Sequence, residues 1–274
     1  MVLLLAAECA ALFFHPLELI THFALPILLL AALCSFTFPR PLRYLSWALA
    51  AAVLIFALLP FSGDRQTAPG TTLVAYNLHF ENRHQAQEID FLLHSKADIL
   101  ALSEAGGTAW QNSLRTLQQH YPERCGHDVD SPFAMQLLSQ QALLACEAHF
   151  SEAYPYIRAV TEKKRTIFLL HPPPPLGREL AAARLQYFQT VAAAIAREAN
   201  AVLVVGDLNN TPYSPTYSRF KKNAQIDDAL PHGTPTWKPL FLPLDRVLYR
   251  QGSVFATALP WQYSDHRPIW IEWQ

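Results

Sequence analysis

The chain has 274 residues, of which 51% are hydrophobic and 16% charged, and a formal net charge of −1. This length fits one large domain, or one domain with an appendage. The near-neutral charge argues against a protein that wraps long stretches of nucleic acid, because each phosphate contact requires a cation. Four cysteines are too few for a disulfide scaffold, but Cys125 and Cys146 could pair in an oxidising compartment.

Residues 1–61 are predicted to be transmembrane helices. Apolar runs cover 17–36 and 44–61, and about 20 residues of helix cross the hydrocarbon core of a bilayer. Residues 2–14 are a shorter apolar run, interpreted as a partial third span or an extension of the first. A cleaved signal peptide fits poorly, because no basic segment precedes a stretch that is too long. The remaining alternative is a buried helical hairpin in a soluble protein.

The turn between the two predicted spans contains Arg40 and Arg43. Short basic loops stay on the cytoplasmic side, so the second span is predicted to run outward. Residues 62–70 are polar and contain glycine and proline, which predicts a linker. The domain that follows, 71–274, is then expected outside the cytoplasm.

Within 71–274, apolar runs bounded by turn residues alternate with helical patterns. Helices are predicted at 85–94, 108–120 and 178–198. Strands are predicted at 71–76, 98–102, 133–139, 142–148, 156–161, 166–170, 201–205, 244–249 and 268–272. Runs of strands with helices between them predict an α/β fold, a four-layer sandwich of two packed mixed β-sheets flanked by helices.

Polar residues recur where the predicted strands begin or end, which is where loops converge into a cleft. These are Asn77, Glu104, His171, Asp207, Asn209, Asp245, Asp265 and His266. Carboxylates are hard oxygen ligands that suit Mg²⁺ or Mn²⁺, and no histidine–cysteine cluster has the spacing of a zinc site. An Asp–His pair can also activate water. The pattern predicts metal-dependent hydrolysis.

Seven of these eight residues, all but Asp245, also have a structural interpretation. Asn77 could cap a loop, and Glu104 could favour the N-terminus of a helix. Asp207 and Asn209 fit turn chemistry, Asp265–His266 a loop ion pair, and His171 a structural histidine. The order and sequence context of the whole set favour the functional interpretation.

That context is a series of short motifs. Gly206-Asp-Leu-Asn209 and Ser264-Asp-His266 are the strongest, and Tyr76-Asn77, Ser103-Glu104, Leu170-His171 and Leu244-Asp245 lie in the same order along the chain. With them, residues 71–273 resemble the endonuclease/exonuclease/phosphatase superfamily, which includes pancreatic deoxyribonuclease and neutral sphingomyelinases. The apolar N-terminus is most similar to a bacterial, membrane-associated subgroup, which implies a bacterial inner-membrane protein with a periplasmic domain.

The resemblance implies a role for each matched residue. Glu104 would be the main metal ligand, supported by Asn77 and Asp265. Asp207 and Asn209 would orient the attacking water and the scissile phosphate. The other roles concern phosphate and protons: His171 donating to a phosphate oxygen, and His266, held by Asp245, acting as general base or stabilising the phosphorane.

At two positions the chain departs from the residues that are frequent in the superfamily. His79 stands where several relatives carry an acid, and Arg246 follows Asp245 where aromatic or histidine residues are frequent. Arg246 is interpreted either as a contact to substrate phosphate or as a solvent-facing residue.

The sequence thus predicts a membrane-anchored, Mg²⁺- or Mn²⁺-dependent phosphoesterase. Its substrate would be a phosphodiester or phosphomonoester in a lipid head group or a nucleic acid, with no obligate protein partner. The alternative is a non-catalytic, membrane-bound binding protein on the same fold. Such a protein should have lost some of the acids or the terminal histidine, and this chain retains them all.

Overall fold

The computed structural model describes residues 15–58 and 70–274 of the chain. Residues 15–58 form three helices, α1 (His15–His22), α2 (Ala24–Cys34) and α3 (Arg40–Leu58), with a short 3₁₀ turn at Ser35–Thr37. The apolar run 2–14 and nearly all of the predicted linker 62–70 lie outside the described residues.

The membrane prediction is only partly matched by these helices. Among the described helices, one stretch of 18 residues, Arg40–Ala57, is long and apolar enough to cross a membrane, and only 11% of it is buried. The other apolar segment, Ala24–Thr37, is shorter than a span. The predicted hairpin of two full spans is therefore not supported.

The first predicted span, 17–36, fails for an identifiable reason. It is interrupted at Phe23, between α1 and α2, instead of forming one continuous helix. Glu18 and His22, near its start, are buried and hydrogen-bonded to residues of the following domain. The polar side chains of α1 thus direct it towards protein.

Residues 70–274 form twelve strands and four helices. The helices are α4 (Gln85–Ser95), α5 (Gly107–His120), α6 (Arg178–Ala196) and α7 (Pro215–Ala224). The strands are β1 (Thr71–Asn77), β2 (Ile99–Ser103), β3 (Glu123–His127), β4 (Met135–Ser139), β5 (Leu143–Ser151), β6 (Tyr154–Thr161), β7 (Thr166–Leu170), β8 (Val202–Asp207), β9 (Asp227–Asp228), β10 (Asp245–Arg250), β11 (Val254–Ala258) and β12 (Ile269–Trp273).

The strands make two six-stranded mixed sheets, with orders β11-β12-β1-β2-β4-β3 and β5-β6-β7-β8-β10-β9. Each sheet contains one parallel pair, β1/β2 or β7/β8, and the other pairs are antiparallel. Apolar side chains of both inner faces form a common core that includes Ile99, Leu169 and Ile271. The predicted packing of two mixed sheets is confirmed.

Helices cover both outer faces. α6 and α7 pack on the β8 sheet through residues such as Phe188 and Phe220, and α4 and α5 pack on the β1 sheet through residues such as Leu92 and Trp110. The central strands β2, β7 and β8 are nearly continuous apolar runs because both of their faces are covered. Cys125 in β3 and Cys146 in β5 form a disulfide that joins one edge strand of each sheet.

The sequence interpretation missed four elements, β3, α7, β9 and β11. α7 is mostly polar in sequence, so its three buried residues give a weak helical pattern. β3 is largely exposed and lacks an apolar run. The four strands predicted in succession from 133 to 170 also divide between the sheets, since β4 belongs to one and β5–β7 to the other.

Candidate active site

The predicted site residues gather at one end of the sandwich, where strands of both sheets finish. Asn77 ends β1 and pairs with Ser103, so Glu104 follows at the same level in the neighbouring strand. Asp207 ends β8 and pairs with Asp245, the first residue of the antiparallel strand β10. Ligand sites of α/β sheets form in the same way, at the carboxyl ends of parallel strands.

The backbone around the site contains residues in the left-handed region. Glu104 has φ 57° and Asn209 has φ 45°, conformations that L-residues adopt at a cost. Gly206, with φ 129°, precedes Asp207, and a Cβ there would lie 2.2 Å from the Leu170 carbonyl oxygen. Glycine at 206 therefore lets β8 approach the end of β7, where His171 follows.

Asn77 links the two principal carboxylates. Its Nδ2 donates to Glu104 Oε1 at 2.8 Å and to Asp207 Oδ2 at 3.1 Å. The backbone N–H of Phe80 donates to Glu104 Oε2 at 2.9 Å, and that of Asn209 donates to Asp207 Oδ1 at 2.7 Å. The two acids, 27 and 130 residues from Asn77 along the chain, thus share one pocket.

Two buried histidines complete this pocket. His171 Nε2 lies 3.7 Å from Glu104 Oε1 and 3.8 Å from Asp207 Oδ2, while its buried Nδ1 has no hydrogen-bond partner among residues 15–58 and 70–274. His266 Nε2 lies 3.6 Å from Asp207 Oδ2 on the other side. Asp207 is therefore flanked by two imidazoles.

His266 is oriented by Asp245, whose Oδ2 lies 2.7 Å from its Nδ1. Burial alone lowers the pKa of His266, but the neighbouring carboxylates of Asp245 and Asp207 outweigh that effect and raise the pKa to about 10. The imidazole is therefore positively charged at neutral pH, and both of its nitrogens are donors.

Asn209 and Asp265 lie at the margins of the pocket. Asn209 Nδ2 donates to the Pro172 carbonyl at 3.0 Å, next to His171. Asp265 Oδ2 accepts from the Trp237 indole at 3.0 Å, and its Oδ1 lies 3.6 Å from His79 Nδ1. Asp265 is thus held at the pocket by other partners, and the described contacts do not join it to Glu104.

Arg246 does not lie in the pocket. Strand neighbours point to opposite faces, so Asp245 points into the site and Arg246 points away from it. Arg246 is fully buried and donates to Asp228 Oδ1 at 2.9 Å and to the Pro231 carbonyl at 3.1 Å. Both interpretations of Arg246, as a substrate contact and as a solvent-facing residue, were wrong.

Sequence reasoning missed Glu88, a fully buried residue of α4. Its Oε1 accepts from the Tyr76 hydroxyl at 3.0 Å and from the Tyr263 backbone N–H at 3.1 Å. Burial raises the pKa of this carboxyl. Glu88 therefore ties the end of β1 to the loop that carries Asp265 and His266. The available signal was an acid on the apolar face of a helix, beside Ile89.

The donor set fits a divalent cation. One ligand atom each of Glu104, His171 and Asp207 lie within 4.8 Å of one another, and the same holds for Asp207, Asp245 and His266. Carboxylate oxygens in such a cluster are typical ligands of Mg²⁺ and Mn²⁺. The acids also outnumber the cationic groups around them, which favours an added positive charge.

The sequence profile of the Endonuclease/Exonuclease/phosphatase family matches residues 74–266. This range holds Asn77, Glu104, Asp207 and His266, the residues that the fold brings together. The chain belongs to this family, whose members are phosphoester hydrolases. No curated protein sequence matches the chain.

Solved structures share the fold at low sequence identity. Humanized TDP2 of D. rerio matches with a TM-score of 0.62 and 14% identity over 76% of this chain and 100% of that chain. Sphingomyelinase C from Streptomyces griseocarneus matches with 0.59 and 15% identity over 75% and 99%. The F277A, P278A mutant of beta toxin from Staphylococcus aureus, with bound magnesium ions, matches with 0.57 and 15% identity over 74% and 99%.

Proposed function

We propose that this chain is a Mg²⁺- or Mn²⁺-dependent enzyme that hydrolyses a phosphodiester or phosphomonoester. The observation that carries the proposal is the pocket in which Asn77 joins Glu104 to Asp207 between two buried histidines. Glu104 is the main metal ligand in this proposal, with Asn77 and Asp265 in support. A bound ion would polarise the phosphoryl group and neutralise developing charge.

Side chains of the protein have the other roles in the proposed reaction. Asp207 and Asn209 orient the attacking water, and His171 donates to a phosphate oxygen. Asp245 fixes the orientation of His266. Because His266 is a cation with a donor at Nε2, it is suited to stabilise the phosphorane oxygens. Asp207, 3.6 Å away, then accepts the proton of the attacking water.

We also propose that the protein is tethered to a membrane and acts on a phospholipid head group. Most of α3 is unburied, and large apolar side chains such as Leu33 and Ile55 are exposed by 69% and 60%. A protein held at a bilayer meets lipid phosphates at high local concentration. Sphingomyelinase C shares the fold, which supports a lipid substrate as the first to test.

Nucleic acid is the second substrate candidate, supported by the similarity to TDP2, one structure of which contains a single-strand DNA product. The charge of the chain supports it less. Apart from Arg40 and Arg43 among the 21 basic residues, and Glu8, Glu18 and Asp64 among the 22 acidic ones, residues 65–274 carry 19 of each. A neutral domain offers little attraction to a long polyanion.

The proposed location is the periplasmic face of a bacterial inner membrane. The Cys125–Cys146 disulfide supports it, since such bonds persist in oxidising compartments. Arg40 and Arg43, at the N-terminal end of α3, support the same orientation. A reporter fused to the C-terminus tests it, and a cytoplasmic signal from that reporter would contradict the proposal.

The activity test uses the full chain in detergent micelles. Hydrolysis of bis-p-nitrophenyl phosphate is measured with Mg²⁺, with Mn²⁺ and with a chelator, followed by vesicles of defined phospholipids and by single- and double-stranded DNA. We expect turnover that requires the ion and is highest on a lipid. A rate that the chelator leaves unchanged would remove the metal-dependent mechanism.

A further inference from the structure

The first helix contacts the loop that carries part of the active site. α1 presents two buried ionisable side chains, Glu18 and His22, which are 3% and 4% exposed. Between residues 18 and 39 they are the only Asp, Glu, His, Lys or Arg in an otherwise apolar sequence. Both meet the segment 209–214, which follows Asp207.

Glu18 reaches this segment in two ways. Its Oε1 accepts from the Ser214 hydroxyl at 2.5 Å, and its Oε2 lies 3.0 Å from Nη2 of Arg184 in α6. The other terminal nitrogen of Arg184 donates to the Asn209 carbonyl at 3.0 Å. A chain of contacts therefore runs from α1 through Arg184 to the backbone of an active-site residue.

His22 contacts the middle of the same segment. The Thr211 backbone N–H donates to His22 Nδ1 at 3.3 Å, and the Thr211 hydroxyl lies 3.0 Å from the same nitrogen. Because Nδ1 accepts a backbone hydrogen bond, it carries a lone pair. α1 therefore binds the loop through Thr211 and Ser214, and binds Asn209 through Arg184.

This arrangement exceeds what a helix needs in order to pack on a domain. Arg184 is 1% exposed, and Glu18 is its only carboxylate partner within 4 Å among the described residues. A buried charge that loses its partner is strongly destabilised, so the loss of Glu18 would displace Arg184 or admit water beside it. Either change removes the donor that holds the Asn209 carbonyl.

The position of Asn209 matters because its conformation is costly. With φ 45°, it directs its backbone N–H to Asp207 and its side chain to the Pro172 carbonyl. Non-glycine residues persist in such conformations when the surrounding structure holds them. Arg184 supplies that restraint by donating to the Asn209 carbonyl, and the ion pair with Glu18 holds Arg184 in place.

We propose that Glu18 and His22 are positioning residues of the active site, and that α1 is a required part of the catalytic unit. The inference rests on the proposed phosphoesterase function. In this view α1 aligns Asn209 and Asp207 for catalysis. Removing it would leave a folded sandwich with a misaligned site, even for a soluble substrate that needs no membrane.

The test compares variants of the full chain in detergent micelles, with bis-p-nitrophenyl phosphate and Mn²⁺. For Glu18→Gln we expect kcat to fall about tenfold or more with KM changed less than about threefold, because misplacement of catalytic groups lowers kcat strongly. Glu18→Asp, which keeps the charge, should recover most of the loss. Hydrogen exchange of the peptide 208–214 should accelerate in Glu18→Gln.

Two controls separate positioning from general stability. Glu198→Gln removes the ion pair with Arg158 beyond the other end of α6, and Thr21→Val removes a buried hydroxyl of α1 that bonds only to the Glu18 carbonyl. Both should keep kcat within about twofold of the unmodified chain. If they lower kcat as much as Glu18→Gln does, the inference is overturned.

The remaining outcomes are also decisive. An unmodified chain without metal-dependent activity refutes the proposed function, whereas an active chain with a fully active Glu18→Gln refutes only the role of α1. If Glu18→Gln fails to fold by thermal unfolding, His22→Ala, which removes the acceptor for Thr211, carries the test. A kcat for His22→Ala equal to that of the unmodified chain would overturn the inference.

Discussion

Two clusters of buried ionisable side chains lie on opposite faces of β10, and they differ in the ratio of acidic to basic groups. Asp245 faces a cluster with Asp207 and His266, close to Glu104. Arg246, the next residue, faces Asp228, whose carboxylate also contacts Lys221 and His232. One strand thus separates a group rich in acids from a group in which a single acid meets two cations and a histidine.

The difference shows how a catalytic cluster can be told from a structural one. Asp228 is surrounded by donors, and although burial opposes ionisation, Arg246 and His232 lower its pKa below the ordinary value. Such a group is satisfied as it stands and needs no ligand. The cluster around Asp207 contains more carboxylates than cations, and in the proposed function a metal ion supplies the missing positive charge. The predictions below test this contrast.

The largest expected effect is the loss of catalysis when the cluster around Asp207 is altered. Asp207→Ala should reduce kcat by about 1,000-fold or more, equivalent to about 4 kcal/mol of transition-state stabilisation. The variant should remain folded in thermal unfolding, because the loss of repulsion against Asp245 offsets part of the loss of the hydrogen bonds from Asn77 and the Asn209 backbone. The measurement is steady-state hydrolysis of bis-p-nitrophenyl phosphate.

A matched control is Asp98→Asn. Asp98 precedes β2 at the opposite end of the sheet and accepts from the Thr72 backbone N–H and hydroxyl, both at 2.8 Å. This carboxylate is also hydrogen-bonded, but it lies far from the strand ends of the site. Activity of Asp207→Ala equal to that of Asp98→Asn would contradict the assignment of the pocket.

A substitution in the cluster around Asp228 should lower the free energy of unfolding and leave catalysis nearly unchanged. Arg246→Met leaves Asp228 without its buried guanidinium, and breaking such a pair typically costs about 3 kcal/mol or more. We expect a lower midpoint in chemical unfolding, with kcat of the folded protein within about threefold of the unmodified chain. A large loss of kcat without a loss of stability would return Arg246 to the active site.

A divalent metal ion should stabilise the folded protein only by binding to the cluster around Asp207. At an ion concentration about 100 times the dissociation constant, binding to the folded state adds about 2.7 kcal/mol to the free energy of unfolding. Mn²⁺ should therefore raise the melting temperature, and a chelator should reverse the rise. Glu104→Gln should lose this response, while Arg246→Met keeps it. Equal responses in both variants would place the ion elsewhere.

The smallest effect per step of the varied condition concerns pH, and the two clusters should lose their stabilising contribution at opposite ends of the pH scale. The folded-state pKa of His266 is raised from 6.5 to about 10, so its stabilisation is complete below pH 6.5 and is lost as pH rises through about 10. In metal-free protein the free energy of unfolding should fall by about 1.4 kcal/mol per pH unit over that window. Asp245→Asn should flatten the slope.

Asp228 has the reverse sign. Its pKa is lowered, so its contribution is present above the ordinary value of 3.8 and is lost as pH falls below that value. Arg246→Met should therefore weaken the acid dependence of stability and leave the alkaline slope intact. Unfolding curves at a series of pH values check both slopes, and an unchanged alkaline slope in Asp245→Asn would argue against the His266–Asp245 pair.

Most of the site could be predicted because the sandwich places chemistry at strand ends. Apolar runs such as 71–76 and 201–205 located the strands, and the polar residues that follow, Asn77 and Asp207, located the pocket. Arg246 was misjudged although its position was accessible to reasoning. Alternation along β10 requires that only one of two successive residues face the site, and Asp245 already did.

The rest depended on tertiary contacts that local patterns do not carry. Glu18 and His22 were absorbed into an apolar run of membrane length, although the contacts that define them are 166 to 196 residues away. Glu88 lacked any motif, because its partners at Tyr76 and Tyr263 belong to different strands and loops. Only assembly of the whole domain shows what these polar residues hold in place.

The Cys125–Cys146 bridge has a consequence for self-association. β3 and β5 are outermost strands, each with one row of backbone groups that no further strand of its sheet covers. Exposed rows of this kind recruit strands from other molecules. The covalent link fastens these two edges to each other, so neither strand can leave the sandwich to pair with another copy of the chain unless the other edge follows or the bridge is reduced.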